Sequence, residues 1–214
     1  STFIAWPEGE FVRLLFHELA HQVVYAQGDT VFHESFATAV ERLGSARWMA
    51  EHSTPEARAA LAASEQRRAQ WRALTRATRA ELQAIYEQNQ AAALDTQALA
   101  AIKSEAMQRF RASYDQLRTQ WLAAMPGNTP HTQLAGYDRW VAKANNASFA
   151  AQAAYDELVP AFEALFEREG RDWPRFYDAV RQLTQLPQPE RHAALRALAT
   201  NAQPLTPSKE KPGV

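Results

Sequence analysis

His17, Glu18 and His21 lie within the run His17-Glu18-Leu19-Ala20-His21, a HExxH arrangement, and the carboxylates Glu34 and Glu41 follow shortly after it. In an α-helix, residues four apart sit above one another on one face, so both imidazoles can meet a single ion. Glu18 is turned about 100° around that helix, within reach of a water held between the histidines and the substrate. A catalytic zinc takes three protein ligands and keeps one position open. The metal lowers the pKa of a water in that position to about 7, and a neighbouring carboxylate can then take its proton. The chemistry in view is therefore hydrolysis at Zn2+, with His17 and His21 as ligands and Glu18 as general base. Either Glu34 or Glu41 could be the third ligand. Twelve residues separate His21 from Glu34 and nineteen separate it from Glu41. A helical rise of about 1.5 Å per residue puts both carboxylates within roughly a turn of the same depth.

These side chains need two helices to carry them. Phe11, Val12, Leu14, Leu15, Phe16, Leu19, Val23 and Val24 surround the motif. That helix is apolar almost all round, which predicts burial. Two histidines and a glutamate are poor choices for a buried helix unless they coordinate or pair with something. The first helix is expected over 8–25, with Gly28-Asp29 as the turn. The second is expected over 32–51, burying Phe36, Val40, Leu43 and Trp48. Together they would form a helical hairpin closed on its ligand face.

Alanine, leucine, glutamine, glutamate and arginine dominate the rest of the chain and strand-like alternation is scarce, so the fold class is all-α. Ser53-Thr54-Pro55-Glu56 reads as a helix start with Ser53 as the capping hydroxyl, opening a helix to about Gln90. Its arginines alternate with glutamates, the pattern of a solvated face of mixed charge. Asp95 caps another long helix over 96–125, and the two form a long antiparallel pair. Pro126-Gly127-Asn128-Thr129-Pro130 is the strongest break and marks a subdomain edge. Beyond it, Pro160 opens or kinks a helix, Asp172-Trp173-Pro174 starts another, and a last one spans about 189–199. His52, His131 and His192 read as isolated surface residues. The expected organisation is a zinc-binding hairpin over 1–52, a helical pair over 53–126, a C-terminal helical bundle over 127–200 and a disordered tail over 201–214.

Composition narrows the function classes. A net charge of −1 supplies no field to attract nucleic acid. Cysteine is absent, so neither disulfides nor thiolate ligands enter the argument. No apolar run reaches the eighteen or so residues that a membrane span requires, so no transmembrane segment is expected. The chain opens on Ser1 rather than methionine and enters the motif helix almost at once, which suggests that an N-terminal segment is missing from it.

His33-Glu34-Ser35-Phe36-Ala37-Thr38-Ala39-Val40-Glu41 resembles the NEGFAxxxE segment of aminopeptidase-N-like gluzincins. With Leu15-Phe16-His17-Glu18-Leu19-Ala20-His21-Gln22, it resembles more closely still a bacterial "putative aminopeptidase" family built around HELAHQ and FNESFAT. The likeness continues through Asn145-Asn146-Ala147 and Tyr155-Asp156-Glu157-Leu158-Val159-Pro160-Ala161-Phe162. It implies a zinc metallopeptidase acting on a peptide substrate, with Glu34 as the third ligand and Glu41 orienting a ligand histidine. It also implies Tyr155 as donor to the developing oxyanion and Asn146 as a hold on the substrate backbone. Relatives of this kind carry a further N-terminal segment, often a lipoprotein signal, which points to the bacterial cell envelope. Two departures stand out: His33 replaces the usual asparagine, and the link from His21 to Glu34 is shorter than in the larger gluzincins. No GxMEN-like segment for an α-amino group is visible. The alternative is a non-catalytic zinc-containing envelope or interaction protein using the charged helical pair.

Overall fold

The computed structural model describes residues 7–92, 95–126 and 131–201, without the side chains of 90–92, 131, 132, 153–156 and 201. The expected tail beyond residue 201 and most of the break at 127–130 lie outside the described residues. Among the described residues there are nine α-helices, a short 3-10 turn and no strand. The helices are α1 (Glu8–Val23), α2 (Thr30–His52), α3 (Pro55–Ala92), α4 (Thr96–Ala124), α5 (Ala135–Lys143), α6 (Asn146–Asp156), α7 (Val159–Arg168), α8 (Trp173–Thr184) and α9 (Gln188–Asn201). The all-α class is what the composition predicts. Local signals explain the starts. Asp95 accepts from Ala98 N at 2.7 Å, Asp172 accepts from Arg175 N at 2.9 Å, and Pro160 lies in the first turn of α7. The cap before α3 is a correction: Thr54, not Ser53, accepts from Ala57 N, because the helix begins at Pro55.

Packing divides the chain into two compact units, Ser1–His52 with Tyr155–Val214, and Ser53–Ala154. This differs from the linear reading, in which 127–200 is one subdomain. The residues after the break part company. Phe149 and Val141 join an aromatic core with α3 and α4, while Phe162, Leu165 and Phe176 join the core of α1 and α2.

In the first unit α1 and α2 pack as a hairpin. Gly28 turns the chain with φ +77°, a conformation glycine adopts without the Cβ penalty. Further along, a Cβ on Gly44 would come within 2.7 Å of the Phe16 ring, so glycine lets α1 approach the α2 backbone there. Phe32 and Phe36 are fully buried against Phe162, at ring separations of 5.1 and 5.7 Å. Phe36 also meets Phe176 at 5.9 Å. Leu43 and Trp48, expected in the core, are only partly buried. A larger correction concerns α1, which is not enclosed on all sides. Phe11, Leu15 and Leu19 are 44–51% exposed along one stripe, because the helix meets its own unit with the face of Val12, Phe16 and Ala20.

Asp29 ties this hairpin to the C-terminal helices. Its buried carboxylate caps α2 through Phe32 N at 3.1 Å and receives Arg191 at 2.7 Å and His192 at 2.9 Å. His192 is thus a hydrogen-bond partner of a buried carboxylate, not an isolated surface histidine. Burial alone would push the Asp29 carboxyl up, but the Phe32 N–H, His192 and Arg191 outweigh it and hold it below its ordinary value. A group with a depressed folded pKa contributes stability above its unfolded value, about 3.9, which is lost as pH falls through the folded value. Asp29→Asn should therefore flatten the acid limb of a stability-against-pH curve, measured by urea denaturation. An unchanged limb would show that Asp29 contributes nothing to it.

In the second unit α3 and α4 run antiparallel, with Gln70 accepting from Trp121, Glu81 paired to Arg109 and Lys103 over the Tyr86 ring. Trp71 lies at the centre of an aromatic core with Tyr114, Tyr137 and Trp140. On the surface of the pair, Arg109 of α4 meets both Glu81 and Glu105.

Candidate metal centre

Three side chains converge on the open side of the hairpin. α1 carries His17 and His21 one turn apart, and Glu34 enters in the first turns of α2, on the face opposite Phe32 and Phe36. Their donor atoms lie within 4.8 Å of one another. His17 Nε2 is 3.3 Å from His21 Nε2 and 3.5 Å from a Glu34 oxygen, and His21 Nε2 is 4.0 Å from the other oxygen. Zinc bonds of about 2.0–2.2 Å at tetrahedral angles set neighbouring donors roughly 3.3–3.6 Å apart. The two closer separations match that spacing and the third is a few tenths wide. Two imidazoles and a carboxylate are also the donor types zinc accepts. All three side chains are partly exposed, which leaves an approach for a ligand.

Behind His17 the arrangement is closed. Its Nδ1 lies 3.1 Å from Glu41 Oε2, so Nδ1–H donates to the carboxylate and Nε2 faces the other donors. Glu41 Oε1 in turn receives Arg13, whose Nε is 2.6 Å away and whose Nη2 makes a second contact. Arg13 is 5% exposed. The Glu41 hydrogen bond raises the pKa of His17, opposed by burial and aided by the charges of Glu41, Glu34 and Glu18. Burial would raise Glu41, yet the His17 hydrogen bond and the Arg13 charge hold it low. Both oxygens of Glu41 are thus engaged by side chains of α1.

Glu18 is exposed, beside the two histidines in sequence and a third of a turn around the helix from His17. His33 points elsewhere. Its Nε2 lies 2.9 Å from Ala26 N and 2.5 Å from Ala26 O, and its ring stacks on Tyr25 at 4.8 Å. It secures the turn between α1 and α2 and adds no ligand.

Two further expectations concern Tyr155 and Asn146. Tyr155 is in α6, and its side chain is outside the described residues. Asn146 belongs to the second unit, where its amide donates to the Tyr86 hydroxyl at 2.5 Å. Asn145, its neighbour, accepts from Ser148 N at 3.2 Å as an ordinary cap of α6. Tyr137 packs its ring between Trp71 and Trp121. Sequence reasoning passed over Arg13. An arginine one turn before His17 in an otherwise apolar run was the available signal.

Among the described residues, no helix is long and apolar enough to cross a membrane. A search of curated proteins and a search of solved structures found no match. Residues 1–195 match the family described as "Putative aminopeptidase", a span that includes every residue of the candidate centre, and the chain therefore belongs to that family.

Proposed function

We propose that the protein is a zinc-dependent peptidase in which His17, His21 and Glu34 hold the metal and Glu18 is the general base. The convergence of those three donor groups at near-tetrahedral spacing carries this reading. Family membership supports peptide hydrolysis as the reaction. When bound, zinc would acidify a water and polarise the scissile carbonyl. Glu18 takes one proton from the attacking water as its oxygen bonds to the carbonyl carbon. It then delivers that proton to the amine nitrogen as the C–N bond breaks. Glu41 fixes the ring of His17, so that Nε2 is the nitrogen presented. Tyr155, on the strength of the family resemblance, is assigned as hydroxyl donor to the developing oxyanion. Removal of a free N-terminal residue is the specific activity that the family description suggests.

The test is metal content and cleavage together. Purified protein should contain about one zinc, cleave a peptide library read by mass spectrometry, and lose cleavage to a chelator. Zinc at a thousand times its Kd should stabilise the folded protein by about 4 kcal/mol, visible as a thermal shift. His21→Ala should abolish that shift. A protein that takes up no zinc, or cleaves equally well without it, would overturn the proposal.

A further inference from the structure

We infer that Arg13 is a positioning residue of the metal centre, holding Glu41 in the one orientation that presents Nε2 of His17 to a metal. The inference rests on the reading of His17, His21 and Glu34 as ligands and concerns how their geometry is maintained.

Arg13 and His17 are four residues apart on α1, so both point across to α2, where Glu41 stands between them. The carboxylate is divided: Oε1 is held by Nε and Nη2 of Arg13, and Oε2 faces Nδ1 of His17 at 3.1 Å. A guanidinium fork holds a carboxylate oxygen in a defined direction, which an ammonium on a flexible stem does not. The pair is buried, with 6% of the Arg13 side chain and 14% of the Glu41 side chain exposed. Water cannot substitute readily for either partner there. Without the fork, the carboxylate is free to rotate and the His17 ring loses its fixed support. The three donors would then have to be gathered by the metal itself.

Charge alone makes the opposite prediction. Arg13 is a cation near a cation site, so removing it should tighten metal binding by Coulomb's law. The sign of the effect therefore separates a positioning role from a purely electrostatic one. Residues that orient a metal-bound histidine are typically worth 10–100-fold in affinity.

Zinc affinity is measured by chelator competition on the full chain for wild type, Arg13→Met, Arg13→Lys, Glu41→Gln and Arg13→Met/Glu41→Gln. Urea denaturation of each zinc-free protein shows that the fold is retained. Arg13→Met should bind zinc about 10–100-fold more weakly. Arg13→Lys, which keeps the charge and loses the fork, should lose less but still measurably. In the Glu41→Gln background the further loss on removing Arg13 should shrink, since Arg13 acts through Glu41. In zinc-free protein, nitrogen NMR of the His17 ring should report the Nδ1–H tautomer in wild type and a mixture in Arg13→Met. If Arg13→Met does not fold, Arg13→Lys carries the test by the same two readouts. Wild-type affinity and an unchanged His17 tautomer in Arg13→Lys, or tighter binding by Arg13→Met, would overturn the inference while leaving the metal reading standing. If wild type itself binds no zinc, both fall together.

Discussion

Glu18→Gln should leave zinc affinity near that of wild type and lower kcat for peptide cleavage by about 10²–10⁴. Glutamine keeps the size of the side chain and removes only the ability to accept the water's proton. No donor of the candidate centre comes from Glu18, and its side chain is exposed on the solvent side of α1. Metal content and thermal stability should therefore be preserved, and the loss should fall on kcat more than on KM. Glu34→Gln makes the necessary contrast, since it should weaken zinc binding itself. Glu18→Gln set beside wild type also separates an enzyme from a zinc-containing protein without turnover. If Glu18→Gln cleaves peptides as fast as wild type, Glu18 is not the base. If wild type cleaves no peptide although it and Glu18→Gln both bind zinc, the non-catalytic alternative is the better account.

The second large effect concerns the scaffold. Phe162→Ala should destabilise the protein by about 3–5 kcal/mol, the range for truncating a buried aromatic side chain. Phe162 is fully buried and contacts both Phe32 and Phe36, which stand two residues before and two after Glu34. Positions two apart on a helix are turned about 200° from one another. Pinning those two rings on α7 therefore sets the rotation of α2 and aims Glu34 away from the core. The variant should accordingly show weaker zinc binding as well as a lower urea midpoint. Phe162→Leu should recover most of the stability. A loss below about 1 kcal/mol for Phe162→Ala would mean that α7 does not anchor α2.

Much of this was legible in local sequence, and the reasons are local. The histidines at i and i+4 share a helix face whatever surrounds them. Asp95, Asp172 and Pro160 mark helix starts because capping depends on neighbours within one turn. Where two residues compete for one local role, local sequence does not decide between them: Ser53 and Thr54 both offer a hydroxyl, and only the backbone position of Pro55 selects Thr54. Long-range partners were not legible at all. Nothing in the spacing of Asp29 and His192, 163 positions apart, brings them together. Nor does the apolar run of α1 tell which side is covered, and the unit leaves Phe11, Leu15 and Leu19 exposed.

Residue type and periodicity were enough to establish an all-helical chain, the face shared by His17 and His21, and the carboxylates available to join them. Those properties depend on backbone geometry repeated every few residues. Which of Glu34 and Glu41 faces both imidazoles depends on a second helix at a defined rotation. Packing of Phe32 and Phe36 on Phe162 supplies that rotation, and the pairing of Glu41 with Arg13 leaves Glu34 as the carboxylate facing both imidazoles. The grouping of α7–α9 with the hairpin was likewise decided in three dimensions, because burial of aromatic surface is indifferent to distance along the chain.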